Sequence, residues 1–154
     1  MPYAENTSVP ADKSRAEIER TLQRYGADQF MYGWDQASAA VGFRMEGRHV
    51  RFVLPLPDPK SDEFRKTPTG KARSQSQAQA EWERATRQRW RALALVVKAK
   101  LEAVESGITT FEDEFMAHIL LPDGSTVGEQ MRPRIEQAYK SGKMPRLALT
   151  AGTD

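Results

Sequence analysis

The sequence predicts an α+β fold: a helix, a three-stranded antiparallel meander, a long helix, then two short C-terminal helices. Three observations carry that expectation. Apolar residues alternate with polar ones over much of residues 29–54, the period of a half-buried strand. From residue 78 onward they recur every three to four positions, the period of a helix face. Glycines stand where such runs end, at Gly26, Gly47, Gly107 and Gly142.

The first helix is read over residues 15–25. Ser14 and Glu17 have the spacing of a capping box, Ile18, Leu22 and Tyr25 follow at helical spacing, and Gly26 supplies a stop. Strands are expected over 29–34, 39–45 and 48–54. Glu46-Gly47 fits a two-residue hairpin turn, which pairs Met45 with Arg48, Phe43 with Val50 and Val41 with Phe52. The apolar partners then share one face, and Arg44, His49 and Arg51 share the other with Ala40 and Gly42. Leu54-Pro55-Leu56-Pro57 ends the pairing, because proline donates no ladder hydrogen bond.

Residues 58–77 are polar and contain Pro59, Pro68 and Gly70, so they read as a long mobile loop, basic through Lys60, Arg65, Lys66, Lys71 and Arg73. The long helix is read over 78–106, with Thr86, Trp90, Leu93, Val97, Leu101 and Val104 as its core stripe. Residues 92–97 are apolar on nearly every side, which predicts that its middle is buried. Thr109 and Glu112 open a short helix through Phe111, Phe115 and Ile119. Pro122-Asp123-Gly124 is a turn. Thr126 and Glu129 cap a last helix with Met131, Ile135 and Tyr139 on one face, which Pro133 is expected to kink or restart.

Domain organisation follows. Residues 1–13 are a polar tail expected to fray, 14–106 an α-β-β-β-α core with the mobile loop at 58–77, 107–147 a helical extension and 148–154 a second tail. A chain of 154 residues with 39% hydrophobic residues suits one domain with a real core. No cysteine is present, which excludes disulfides and thiolate metal sites. No apolar run approaches the ~20 residues of a membrane span. The polar start lacks the apolar centre of a signal peptide, so no membrane partner and a bacterial cytoplasm are expected.

The net charge of +2 says little, but its distribution says more. Residues 84–100 hold Arg84, Arg87, Arg89, Arg91, Lys98 and Lys100 with no acid. Residues 102–129 hold seven acids with no lysine or arginine. Either these blocks pair within the fold or they face partners. No phosphate-binding glycine loop, zinc-protease helix, calcium loop or nucleophile elbow is present, and no cofactor is implied. Glu112, Glu114, His118 and Asp123 are the one set that suggests a metal-dependent nuclease, against a plain reading as solvated helix-start acids. The basic set suggests nucleic acid. Arg44, His49 and Arg51 on the sheet, with Arg84, Arg87, Arg91 and Lys98 on the long helix, are candidate phosphate contacts. Tyr32 and Trp34 are candidate stacking platforms if their alternating face is the open one, and core residues if it is not.

Several segments carry a resemblance: Gly42-Phe43-Arg44-Met45-Glu46-Gly47-Arg48, Leu54-Pro55-Leu56-Pro57, Arg89-Trp90-Arg91-Ala92-Leu93, Lys98-Ala99-Lys100-Leu101-Glu102-Ala103-Val104 and Leu121-Pro122-Asp123-Gly124. From the first helix to the last, the chain resembles a family of uncharacterised small proteins encoded by phages and prophages. That resemblance implies a phage gene product in a bacterial host and transfers no site residue. The element order is also similar to double-stranded RNA-binding domains and to the core of single-strand-annealing recombination proteins. The long loop departs from the first of these.

The expected function is therefore a non-enzymatic nucleic-acid-binding protein, for single-stranded DNA in phage replication or recombination. The alternatives are a counter-defence or host-takeover protein that binds a host protein, and the metal-dependent nuclease. The open edges of a three-stranded sheet also permit a homo-oligomer.

Overall fold

The computed structural model describes residues 3–144; residues 1–2 and 145–147 and the whole of the tail expected at 148–154 lie outside the described residues. Its elements are α1 (Tyr3–Arg24), β1 (Gln29–Trp34), β2 (Ser38–Met45), β3 (Arg48–Pro55), α2 (Asp62–Arg65), α3 (Gln75–Glu105), α4 (Phe111–Phe115), a single 3-10 turn (Met116–His118) and α5 (Val127–Ser141). The α+β order is the expected one, with one added short helix.

The first correction concerns α1. It begins at Tyr3, so most of the tail expected over residues 1–13 is helical, and Ser14 lies inside the helix rather than capping it. Ala11 is fully buried beside Ile18 and Leu22, which extends the apolar stripe one heptad toward the N-terminus. The stop is where glycine predicts it. Gly26 adopts φ 108°, its N–H bonds to the Gln23 carbonyl, and the Ala27 N–H reaches back to Leu22, which together form a Schellman cap.

The three strands form one antiparallel sheet in the order β1-β2-β3. The hairpin pairs Met45 with Arg48, Phe43 with Val50 and Val41 with Phe52, as the alternation predicts. Its turn places both Glu46 and Gly47 at positive φ, 49° and 74°. Residues Val41, Phe43, Val50 and Phe52 turn toward α1, α3 and α4 and are buried with Leu22, Trp90, Val97, Leu101 and Phe115. Phe115 meets Phe43 and Phe52 edge-on, at centroid separations of 5.8 and 6.2 Å. Burying apolar side chains of this size stabilises the fold by roughly 1.5–3 kcal/mol each.

The middle of the long helix departs from a second expectation. On α3 the predicted stripe is buried from Thr86 to Leu101 and half-buried at Val104, but the middle of the helix is not buried all round: Leu95 is 63% exposed and Val96 45%. The expected loop at 58–77 also carries structure. Ser61 caps α2, Phe64 is buried, and Lys66 bridges Ala72. The Arg73 N–H bonds to the Arg65 carbonyl at 2.7 Å, and the Trp82 indole N–H to the Pro57 carbonyl at 2.7 Å. α3 then starts at Gln75, three residues early, behind a capping box formed by Ser74 and Gln77.

Within the C-terminal extension, α4 packs Phe115 on the helix side of the sheet, and the segment after it runs along the sheet's margin. That segment lengthens the sheet's β3 edge: Ile119 bridges Val50, and the Leu120 N–H bonds to the His49 carbonyl at 2.8 Å. The turn at Pro122-Asp123-Gly124 leads into α5, capped by Thr126 and Glu129 and closed at Gly142 with φ 69°, as predicted. α5 runs through Pro133 as one helix, without the expected restart, and buries no residue fully.

Candidate nucleic-acid interface

The open face of the sheet carries Met31 and Gly33 from β1, Ala40, Gly42 and Arg44 from β2, and His49, Arg51 and Val53 from β3. Its centre is a shallow depression of about 230 Å³, in which Ala40 and Gly42 leave room between Met31, His49, Arg51 and Leu120.

Tyr32 and Trp34 are not on it. Tyr32 pairs with Val41 and Trp34 with Ala39, so strand alternation sends both to the helix side. Tyr32 packs against Trp90 at 5.6 Å under the Arg15 guanidinium, and burial raises its phenol pKa above the ordinary value. Trp34 is 37% exposed at the rim of that same face. The stacking role expected of these two rings is thereby removed from the open sheet.

The sheet's arginines are placed as predicted but already partnered. Arg44 grips Asp28 with two bonds, Nε to Oδ1 at 2.9 Å and Nη2 to Oδ2 at 2.5 Å. The hydrogen bond from Arg44 holds the Asp28 carboxyl below the usual range. Arg51 donates to Glu129 at 2.6 Å and to the Gly124 carbonyl at 3.3 Å. Glu129 is itself held below its ordinary pKa, first by the Thr126 backbone N–H and then by the Thr126 hydroxyl. His49 is exposed and spends its backbone carbonyl on Leu120.

The acidic set is dispersed rather than assembled. Glu112 pairs with Arg48 at 3.2 Å, and Glu114 with Lys100 at 3.0 Å. Asp123 accepts the Ser125 hydroxyl and backbone N–H inside its own turn. His118 stacks on Phe52 at 4.1 Å, and burial, aided by the charge of Lys100, lowers its pKa. Among the described residues no group of three or more histidines and carboxylates is positioned to hold a metal ion. The metal-dependent nuclease therefore loses its constellation.

The cations of α3 differ. Arg84 pairs with Glu81 at 2.5 Å. The side chains of Arg87, Arg91 and Lys98 are exposed and make no ion pair or hydrogen bond among the described residues. They lie on one flank of the helix, beside the exposed Leu95 and Val96. Two features escaped the sequence reading. One is that apolar exposure. The other is a concavity of about 650 Å³ between the α2 loop and the start of α3, lined by Lys60, Arg65, Lys66 and Arg73. The basic composition of the loop was its only signal.

Comparison of the chain with family models, with curated proteins and with solved structures found no match. Among the described residues no helix is long and apolar enough to cross a membrane.

Proposed function

We propose that this is a non-enzymatic nucleic-acid-binding protein that contacts the phosphate backbone along α3, and that it serves a phage in a bacterial cytoplasm. One observation carries the reading. The sheet cations are neutralised by Asp28 and Glu129, whereas Arg87, Arg91 and Lys98 are left facing solvent on a helix with no acid between Glu83 and Glu102. Arginine is suited to phosphate by its fork of donors. With Tyr32 and Trp34 turned to the helix side, the preference for single-stranded DNA loses its aromatic support, and contact with phosphate alone carries no sequence information.

The test is fluorescence anisotropy with labelled single- and double-stranded oligonucleotides across a salt series. Three phosphate contacts give a log–log salt slope of roughly −2 to −3. The triple variant Arg87→Ala/Arg91→Ala/Lys98→Ala is expected to remove most of that slope. No binding at low salt, or binding that the triple variant leaves intact, overturns the proposal.

A second reading, a host protein as partner, is favoured by Leu95 and Val96, because a phosphate backbone offers nothing to an exposed apolar pair. It expects a stoichiometric host protein captured by the native chain and lost with Leu95→Asp. Failure to recover such a partner sinks it.

A further inference from the structure

The loop over residues 58–73 is held in shape at several points. Ser61 caps α2, the Lys66–Ala72 bridge closes the loop, and the Arg73 Nη1 donates to the carbonyls of Glu63 and Phe64 at 3.1 and 3.3 Å. Phe64 roots it in the protein interior, and Trp82 of α3 ties down its first residues through Pro57. A loop built this way presents its side chains in fixed directions.

What it presents is positive. Around the 650 Å³ concavity stand Lys60, Arg65, Lys66 and Arg73, against Asp62 alone. Asp62 answers only Lys66, at 3.7 Å. The side chains of Lys60 and Arg65 have no partner among the described residues, and three of the five Arg73 donors remain after its two carbonyl bonds. Four cations facing one space repel one another, and an anion in that space relieves the repulsion. The first turn of α3, which reaches the concavity through Gln75, contains no acid that would offset it.

We infer that this concavity is a binding site for a phosphorylated ligand of nucleotide size. Two arginines offer planar forks that match phosphate oxygens two at a time, and two lysines supply point charges. The volume lies in the range of small-ligand sites, well beyond one inorganic ion. Gln75 and Gln79 add neutral amides that suit the donors and acceptors of a sugar or base. The phosphate belongs either to a free nucleotide or to a nucleic-acid strand, and the chemistry of recognition is shared. The site is separate from the Arg87, Arg91 and Lys98 flank and does not depend on it.

The experiment is isothermal titration calorimetry on the full chain with ATP, with inorganic pyrophosphate and with a short 5′-phosphorylated oligonucleotide. It compares the native protein, Arg65→Ala/Lys66→Ala, and the α3 triple variant. The native protein is expected to bind at least one phosphorylated probe, with a Kd below about 1 mM. Arg65→Ala/Lys66→Ala weakens that probe at least tenfold, while the α3 triple variant leaves ATP and pyrophosphate unchanged. Binding of ATP and pyrophosphate identifies a free nucleotide as the source. A groove-dependent effect on the oligonucleotide alone identifies a strand. Absence of binding by all three probes, or equal binding by the native protein and the groove variant, overturns the inference. Because the two sets of substitutions are distinct, loss of the α3 reading leaves this one standing, and the reverse.

Discussion

The sheet pairs each of its three arginines with a carboxylate, whereas most of the cations of the long helix stand without one among the described residues. Arg44 and Arg51 stand on an open sheet face with a carboxylate drawn up to each guanidinium, from Asp28 before β1 and Glu129 on α5. Arg87, Arg91 and Lys98 stand on α3 with none among the described residues. The segregation of charge along the chain thus resolves in two ways. The acidic block folds back on Arg48, Arg51 and Lys100, and what remains without an ion pair among the described residues is the exposed α3 flank of Arg87, Arg91 and Lys98. A cation already paired within the fold brings less to a phosphate, because its carboxylate must first be released. The helix flank and the α2 concavity are therefore where an external anion gains most.

The contrast breaks most sharply at Gly128. A methyl group there would lie 2.8 Å from the Ala117 carbonyl oxygen, a backbone atom that cannot swing aside. Alanine at an exposed helical glycine ordinarily stabilises by up to about 1 kcal/mol. Gly128→Ala reverses that sign, because α5 must shift off the 3-10 turn and carry Glu129 away from Arg51. The expected loss is about 1–2 kcal/mol by urea denaturation, in the range of other overpacked sites. A gain in stability would show that α5 is not held by this contact. With Glu129 displaced, Arg51 becomes an unpaired cation, and the sheet face acquires the character of α3.

Much of this arrangement was legible in the residues, and the failures share a cause. The hairpin was readable because Glu46-Gly47 fixes a two-residue turn, and that turn fixes every partner as far as Val41 and Phe52. The caps at Gly26, Thr126 and Gly142 were readable because each is a local hydrogen-bond problem with a local answer. Ser14-x-x-Glu17 obeyed the same local rule and misled, since Ala11 buries against partners distant in sequence. The face of Tyr32 and Trp34 rested on the register between β1 and β2. That register is set by Asp35, whose carboxylate accepts the N–H groups of Ala37 and Ser38 in a turn that alternation cannot reveal. Exposure of Leu95 and Val96 was likewise unreadable, since periodicity does not say how many sides of a helix are covered. Among the site residues, position was legible for Arg44 and Arg51 and partnership was not, because Asp28 is 16 residues and Glu129 78 residues away in the chain.

The gentler way to sharpen the contrast is acid. Asp28 titrates below the ordinary carboxylate range because Arg44 bonds to its charged form. Its unfolded counterpart titrates near 3.9, so between the two values the unfolded chain binds more protons and stability rises with pH. The contribution is complete above about pH 5 and is lost as pH falls through the folded value. Asp35, Asp123 and Glu129 are lowered as well, so the native protein loses stability over the same acidic window. Asp28→Asn removes one share and makes the decline shallower, and Arg44→Ala, which deletes the same bond from the other partner, flattens it alike. Replacing Arg87, Arg91 and Lys98 with alanine leaves the slope of denaturation midpoint against pH as it was, since among the described residues no acid pairs with them. An unchanged slope in both Asp28→Asn and Arg44→Ala would mean that the sheet cations are held as loosely as those of α3, and the open sheet face would again be available to a phosphate backbone.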